Sequence, residues 1–150
     1  MNPENIFIKE EHQVNEETKA YVNQRLKAMN DTLSPFHQLT RDSTNIRHLT
    51  LSVTNSQQVL IGGLLARLYW HWLVIEDIFI EEDYRNEGLG AQLIQKAEAL
   101  ALKNNCQKAQ VKTFSFQAKP FYEKLGYRVV GELQDYPPGH SLYWLEKILE

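Results

Sequence analysis

Apolar residues recur along the chain in two rhythms, alternating and helical, and the changes between them predict the elements. Residues 5 to 10, NIFIKE, alternate, with Ile6 and Ile8 on one face and Phe7 on the other, which predicts a short strand. Asn15 then stands where a helix cap is wanted, Glu16 and Glu17 suit the positive end of a helix dipole, and Val22, Leu26 and Met29 follow on one side. The polar stretch from residue 30 to 45 contains Pro35 and predicts a loop or a broken helix. Residues 46–54 and 59–69, separated by NSQQ, read as an antiparallel hairpin, and a further strand over 71–80 ends at the acidic Glu81, Glu82 and Asp83.

From Gly90 to about Asn104 the apolar residues Leu93, Ile94, Ala97, Leu100 and Ala101 fall at helical spacing, and Asn104 and Asn105 make a stop. KAQVKTF (108–114) predicts a strand, 116–126 a short helix closed by Gly126, and 127–133 and 140–148 two strands joined by QDYPPG. The order is strand, helix, three strands, helix, strand, helix, two strands. No repeat or linker divides it, so residues 1–150 are expected to form a single domain with an α/β (α+β) mixed sheet flanked by helices.

Composition narrows the function. A chain that is 43% hydrophobic and 11% aromatic can build a core without staples. The formal net charge of −3 and the lack of a basic run argue against nucleic acid or an anionic membrane as partner. The most apolar stretch is interrupted by Arg67 and His71, which argues against a membrane span. The first residues show no basic region followed by an apolar core, and Cys106 is the single cysteine, so a cytoplasmic protein is expected. Cys106 itself reads as a buried apolar residue, and the histidines have no metal-ligand spacing, so no metal is expected.

Gly88 and Gly90 stand where the helix begins, behind Arg85. Glycine costs about 1 kcal/mol relative to alanine in a helix interior, so the pair points to backbone needed for something other than propagation. A helix N-terminus offers unpaired N–H groups to phosphate, and glycine lets a ligand approach them. Ala91 and Gln92 occupy the places where a P-loop requires Lys and Ser or Thr, and Leu93 replaces the small residue of the dinucleotide fingerprint.

What remains, Arg85-x-x-Gly88-x-Gly90 after a strand and an acidic turn, resembles the pyrophosphate-binding segment of the GCN5-related N-acetyltransferases. PFYEKLGY (120–127) is similar to the family's helix that carries a tyrosine near the thioester sulfur, and IEDIFI (75–80) to the central strand of its diamine acetyltransferase branch. The resemblance implies a mostly antiparallel sheet with a splay between its central strands, and acetyl-coenzyme A as cofactor. It further implies that the backbone of Ile78, Phe79 and Ile80 faces the thioester arm, while Asn86, Glu87, Gly88, Leu89, Gly90 and Ala91 hold the pyrophosphate beside Arg85. Many members carry an asparagine where this chain has Ser115, so the cofactor contact on that side departs from the pattern.

Tyr122 has the spacing of a packed helix residue and also the chemistry of a general acid toward the departing thiolate, the role the resemblance favours. Glu76 and Asp77 interrupt an apolar strand, where carboxylates are costly unless solvated or paired. Glu76 matches the base of the diamine acetyltransferases, the alternative being a pairing with Arg67 or a neighbouring strand; Asp77 is expected to touch substrate. Tyr136 and His140 either reach substrate from the 134–140 loop or belong to a proline-rich turn without a role. The expected activity is direct transfer of an acetyl group to a primary amine of a small, cationic molecule, the partners otherwise excluding nucleic acid and membrane and leaving a homodimer open. The alternative is a module of the same fold that binds coenzyme A without turnover.

Overall fold

In the computed structural model, which describes residues 4–150, Pro35 divides the first helical stretch. Helix α1 (Glu16–Leu33) begins at Asn15, whose side chain accepts from Thr18 N, and ends where Ser34 turns to extended backbone. Ser34 then caps α2 (Pro35–Thr40), because proline suits a first helical turn and forbids the helical conformation to the residue before it. The predicted strand over 5–10 does not form. Its residues have no pairing, and Ile6, Phe7 and Ile8 are 85%, 87% and 98% exposed: alternation makes a strand only where another strand receives it. Two units are distinguished, one ending at Arg41 and the other Asp42–Glu150.

The second unit is built on β1 (Arg47–Thr54), β2 (Leu60–Tyr69), β3 (Trp72–Ile80), β4 (Lys108–Phe114), β5 (Arg128–Gln134) and β6 (Ser141–Ile148), with α3 (Leu89–Lys103) and α4 (Lys119–Lys124) between them. The six-stranded sheet runs β1-β2-β3-β4-β6-β5, antiparallel at every pair except β3 with β4. That parallel pair follows from the crossover through α3. α3 lays Leu93, Ile94, Ala97 and Ala101 against Leu64, Ala66, Leu73, Ile75, Val111 and Leu145 of the sheet. Completely burying Ile94 alone contributes on the order of 2 kcal/mol. Among the described residues no helix is long and apolar enough to cross a membrane.

Two irregularities of β3 prepare the site. Its pairing with β4 runs from Trp72↔Lys108 to Ile75↔Val111 and stops, although both strands continue, so the sheet splays there. Against β2 the register passes from Ala66↔Ile75 to Leu65↔Asp77, which leaves Glu76 as the extra residue of a bulge. The bulge reverses the alternation: Leu73 and Ile75 are buried before it, Ile80 after it, and Glu76 and Asp77 are both exposed.

Candidate active site

Between Ile80 and Leu89 the chain makes a short 3-10 turn at Glu82–Tyr84 and then twice enters left-handed backbone, at Asn86 (φ 66°) and Gly88 (φ 81°). Glycine adopts that conformation without strain, and it leaves the start of α3 without a side-chain cap. Among the described residues no backbone N–H from 86 to 91 finds a hydrogen-bond acceptor. This is an anion seat. Gly90 has a separate reason: a Cβ there would come within 3.1 Å of Phe121 Cζ on α4, so any side chain would have to push that ring aside by a few tenths of an ångström.

The seat opens into a cleft of about 420 Å³ walled by Ile78, Phe79 and Ile80 of β3 and by Arg85, Asn86, Gly88, Leu89, Gly90 and Ala91, with Tyr84, Ala118 and Phe121 completing it. Arg85 Nε donates to the carbonyl of Ile80 at 2.7 Å and the guanidinium lies 5.2 Å from the Phe79 ring centre, which fixes the side chain at the cleft wall. A mostly apolar cleft ending in free N–H groups fits coenzyme A, whose pantetheine arm, with its two amides, can run along the strand edge and whose pyrophosphate suits the helix start. Tyr84, Ala118 and Phe121 carry no polar signature that sequence reasoning would single out. Of the residues expected to bind cofactor, Glu87 and Ser115 lie outside this lining.

Tyr122 is 3% exposed, with its ring edge-on to Phe121 and Tyr127. Its hydroxyl pKa is pushed up to about 12, first by burial and then by the charge of Asp77. Behind it, Tyr127 donates to Glu98 Oε2 at 3.1 Å, and Lys147 Nζ donates to Glu98 Oε1 at 3.1 Å. Burial and the neighbouring carboxylate raise the Tyr127 hydroxyl further still. This network escapes sequence analysis, although Glu98 on the apolar stripe between Ile94 and Ala101 is a visible signal. The helix carrying Tyr122 is seated by Thr113, whose Oγ1 accepts from Ala118 N at 3.2 Å, while Gln117 Oε1 accepts from Phe114 N at 2.9 Å.

A second cavity, of about 400 Å³, lies against the preceding half of β3. It contains Glu76 and Asp77 together with Arg67 and Tyr69 of β2, Gln110 and Lys112 of β4, and Trp144 of β6. Arg67 Nε donates to Glu76 Oε1 at 2.9 Å. The expected catalytic Glu76 is therefore tied to Arg67 and keeps its second oxygen for other partners. The two cavities are lined by successive stretches of β3, residues 74–77 and 78–80, divided just beyond the point where β4 departs.

Ser115, Tyr136 and His140 come together outside both cavities. Ser115 Oγ accepts from Ser141 N at 3.0 Å and lies 3.4 Å from His140 Nδ1. Phe114 stacks with Phe116 and Tyr136, and His140 meets Phe116 edge-on, so the β5–β6 loop is fastened to the end of β4. Cys106 is buried, and burial pushes its thiol upward.

A splayed sheet with an anion seat at the following helix is the architecture of an N-acetyltransferase. The acetyltransferase (GNAT) family model matches residues 10–127, and the chain belongs to that family. It is 35% identical over 131 residues to the blasticidin-S acetyltransferase of Streptomyces morookaense, covering 83% of this chain and 96% of that protein. The crystal structure of an acetyltransferase from Bacillus cereus is similar with a TM-score of 0.78 at 29% identity, over 94% of this chain and 98% of the other. A crystal structure from Bacillus anthracis solved in complex with acetyl coenzyme A shares the fold at a TM-score of 0.61 and 22% identity, over 69% and 63% of the two chains. The chain is an acetyltransferase that uses acetyl-coenzyme A.

Proposed function

We propose that the enzyme acetylates a primary amine of a small molecule by direct attack while donor and acceptor are both bound. One observation carries the reading: Asp77 lines the second cavity, and its charge reaches the hydroxyl of Tyr122. The relative named for blasticidin S supports a small-molecule acceptor.

Acetyl-coenzyme A supplies the acyl group as a thioester. Residues 86–91 and Arg85 hold its anionic end, and the β3 edge beyond Ile75, which has no partner on β4, offers backbone N–H groups to the arm and the carbonyl. An ammonium of pKa near 10 costs roughly 4 kcal/mol to deprotonate at pH 7. Asp77 seats that ammonium and Glu76, oriented by Arg67, accepts the proton directly or through water. Tyr122, with a pKa of about 12, keeps its proton at neutral pH and holds it for the departing sulfur.

A panel of amines assayed for thiol release from acetyl-coenzyme A tests this reading. Turnover of small amines supports it. Tight acetyl-coenzyme A binding with no thiol release from any amine overturns it.

A further inference from the structure

Taking a proton from an amine needs one carboxylate, yet the second cavity holds two carboxylates and two cations. Arg67 and Glu76 satisfy each other at 2.9 Å. The charges left over are Asp77 on β3 and Lys112 on β4, and among the described residues neither makes an ion pair or hydrogen bond. Lys112 Nζ lies instead 4.8 Å over the ring of Trp144, its partner across the β4–β6 ladder.

Their placement follows from the splay. Ile75 is the last residue of β3 to pair, with Val111, so Lys112 comes level with the Glu76 bulge just as the strands part. Asp77 and Lys112 therefore line one cavity from neighbouring strands, a lone negative and a lone positive charge with a neutralised pair beside them. An acidic turn next to the site suggests a cationic acceptor when the sequence is read linearly; Lys112 changes that picture because it arrives from another strand. The second ammonium of a diamine would meet Lys112 as a like charge, whereas an acid group would meet a partner.

Resting on the acetyltransferase reading above, we propose that the acceptor is a zwitterion, an amine that also carries a carboxylate, with its ammonium at Asp77 and its carboxylate at Lys112. The bond formed is the amide between the amine nitrogen and the acetyl carbon, the bond broken is the thioester C–S bond, and the carboxylate takes no part beyond binding.

The test compares three series of matched chain length by thiol release from acetyl-coenzyme A: ω-amino acids, n-alkylamines and α,ω-diamines. The proposal expects kcat/KM for at least one ω-amino acid to exceed both its alkylamine and its diamine by roughly tenfold or more, the scale of one charge-assisted hydrogen bond. Lys112→Gln abolishes that ratio, chiefly through KM of the amino acid, and Lys112→Glu inverts it in favour of the diamine. Diamines or alkylamines turned over as well as every ω-amino acid, or a preference unchanged in both Lys112 variants, overturn the zwitterion while leaving the acetyltransferase reading intact. No thiol release from any series overturns the small-amine reading and the zwitterion with it.

Discussion

Gly90 of α3 and Phe121 of α4 are separated so narrowly that a Cβ on the glycine would lie 3.1 Å from one ring atom and 3.2 Å from another. The contact joins the anion seat to the helix that carries Tyr122, so a side chain at residue 90 disturbs both. Gly90→Val should weaken acetyl-coenzyme A binding by about tenfold or more, equivalent to ~1.4 kcal/mol, with the far-ultraviolet spectrum retained. Gly88→Val should do the same by a different route, since φ 81° costs a β-branched residue about 1–2 kcal/mol. Calorimetric titration decides, and wild-type affinity in both variants removes the cofactor from this seat.

Tyr122→Phe is expected to bind acetyl-coenzyme A normally and to lower kcat by roughly 10²–10⁴-fold, the range for a lost general acid. Wild-type kcat in the variant would assign Tyr122 to the core alone.

The same burial predicts an alkaline limit to stability. The unfolded chain releases the Tyr122 proton near pH 10, while the folded protein keeps it to about 12. Over that interval the native state binds more protons, so unfolding free energy falls as pH rises. Urea titrations from pH 9 to 12 should show the decline, and it should be smaller in Tyr122→Phe. Parallel curves for the two proteins would contradict this.

Glu76→Gln should depress activity at neutral pH and move the pH–rate profile toward the amine's own pKa, about 10. An unshifted profile would confine Glu76 to its bond with Arg67.

Removing Glu98 strands Lys147, whose side chain is only 28% exposed, and takes the acceptor from Tyr127. Glu98→Ala should therefore lose about 2–4 kcal/mol in urea unfolding, near the lower end of what breaking a buried pair costs. Glu98→Leu combined with Lys147→Met should recover much of it, because no unpaired charge is left. A double variant as unstable as Glu98→Ala would mean that volume and not charge decides.

Residues whose role depends on near neighbours in the chain are legible in the sequence alone. The Asn15 cap, the α3 stripe, the β1–β2 turn and the glycine at the start of α3 are local arrangements, and each lies where periodicity and capping place it. The 5–10 strand does not form because a strand also needs a neighbour, which sequence pattern does not supply. The pairing of Glu76 with Arg67 is one of the alternatives the sequence offers, but the presence of Lys112 and Trp144 in the same cavity is illegible for the complementary reason: they come from β4 and β6 and join it only through the sheet order. The broken apolar run at Glu76 and Asp77 marks the place, but only the register against β2 shows that one residue there is supernumerary.

That supernumerary residue acts on β3 as a single-base insertion acts on a reading frame. Upstream of Glu76 odd-numbered residues face the core, and downstream even-numbered ones do. If Glu76 took an ordinary place in the ladder and the bulge were lost, odd-numbered residues would face the core throughout and Ile78 and Ile80 would turn outward and Phe79 inward, so the wall of the cofactor cleft would be lost even though every residue remained. Substitutions that reshape the acceptor side, by contrast, lie at or before Asp77 or on neighbouring strands and leave Ile78, Phe79 and Ile80 in place. One strand thus encodes two surfaces that can be altered separately, as long as the bulge stays.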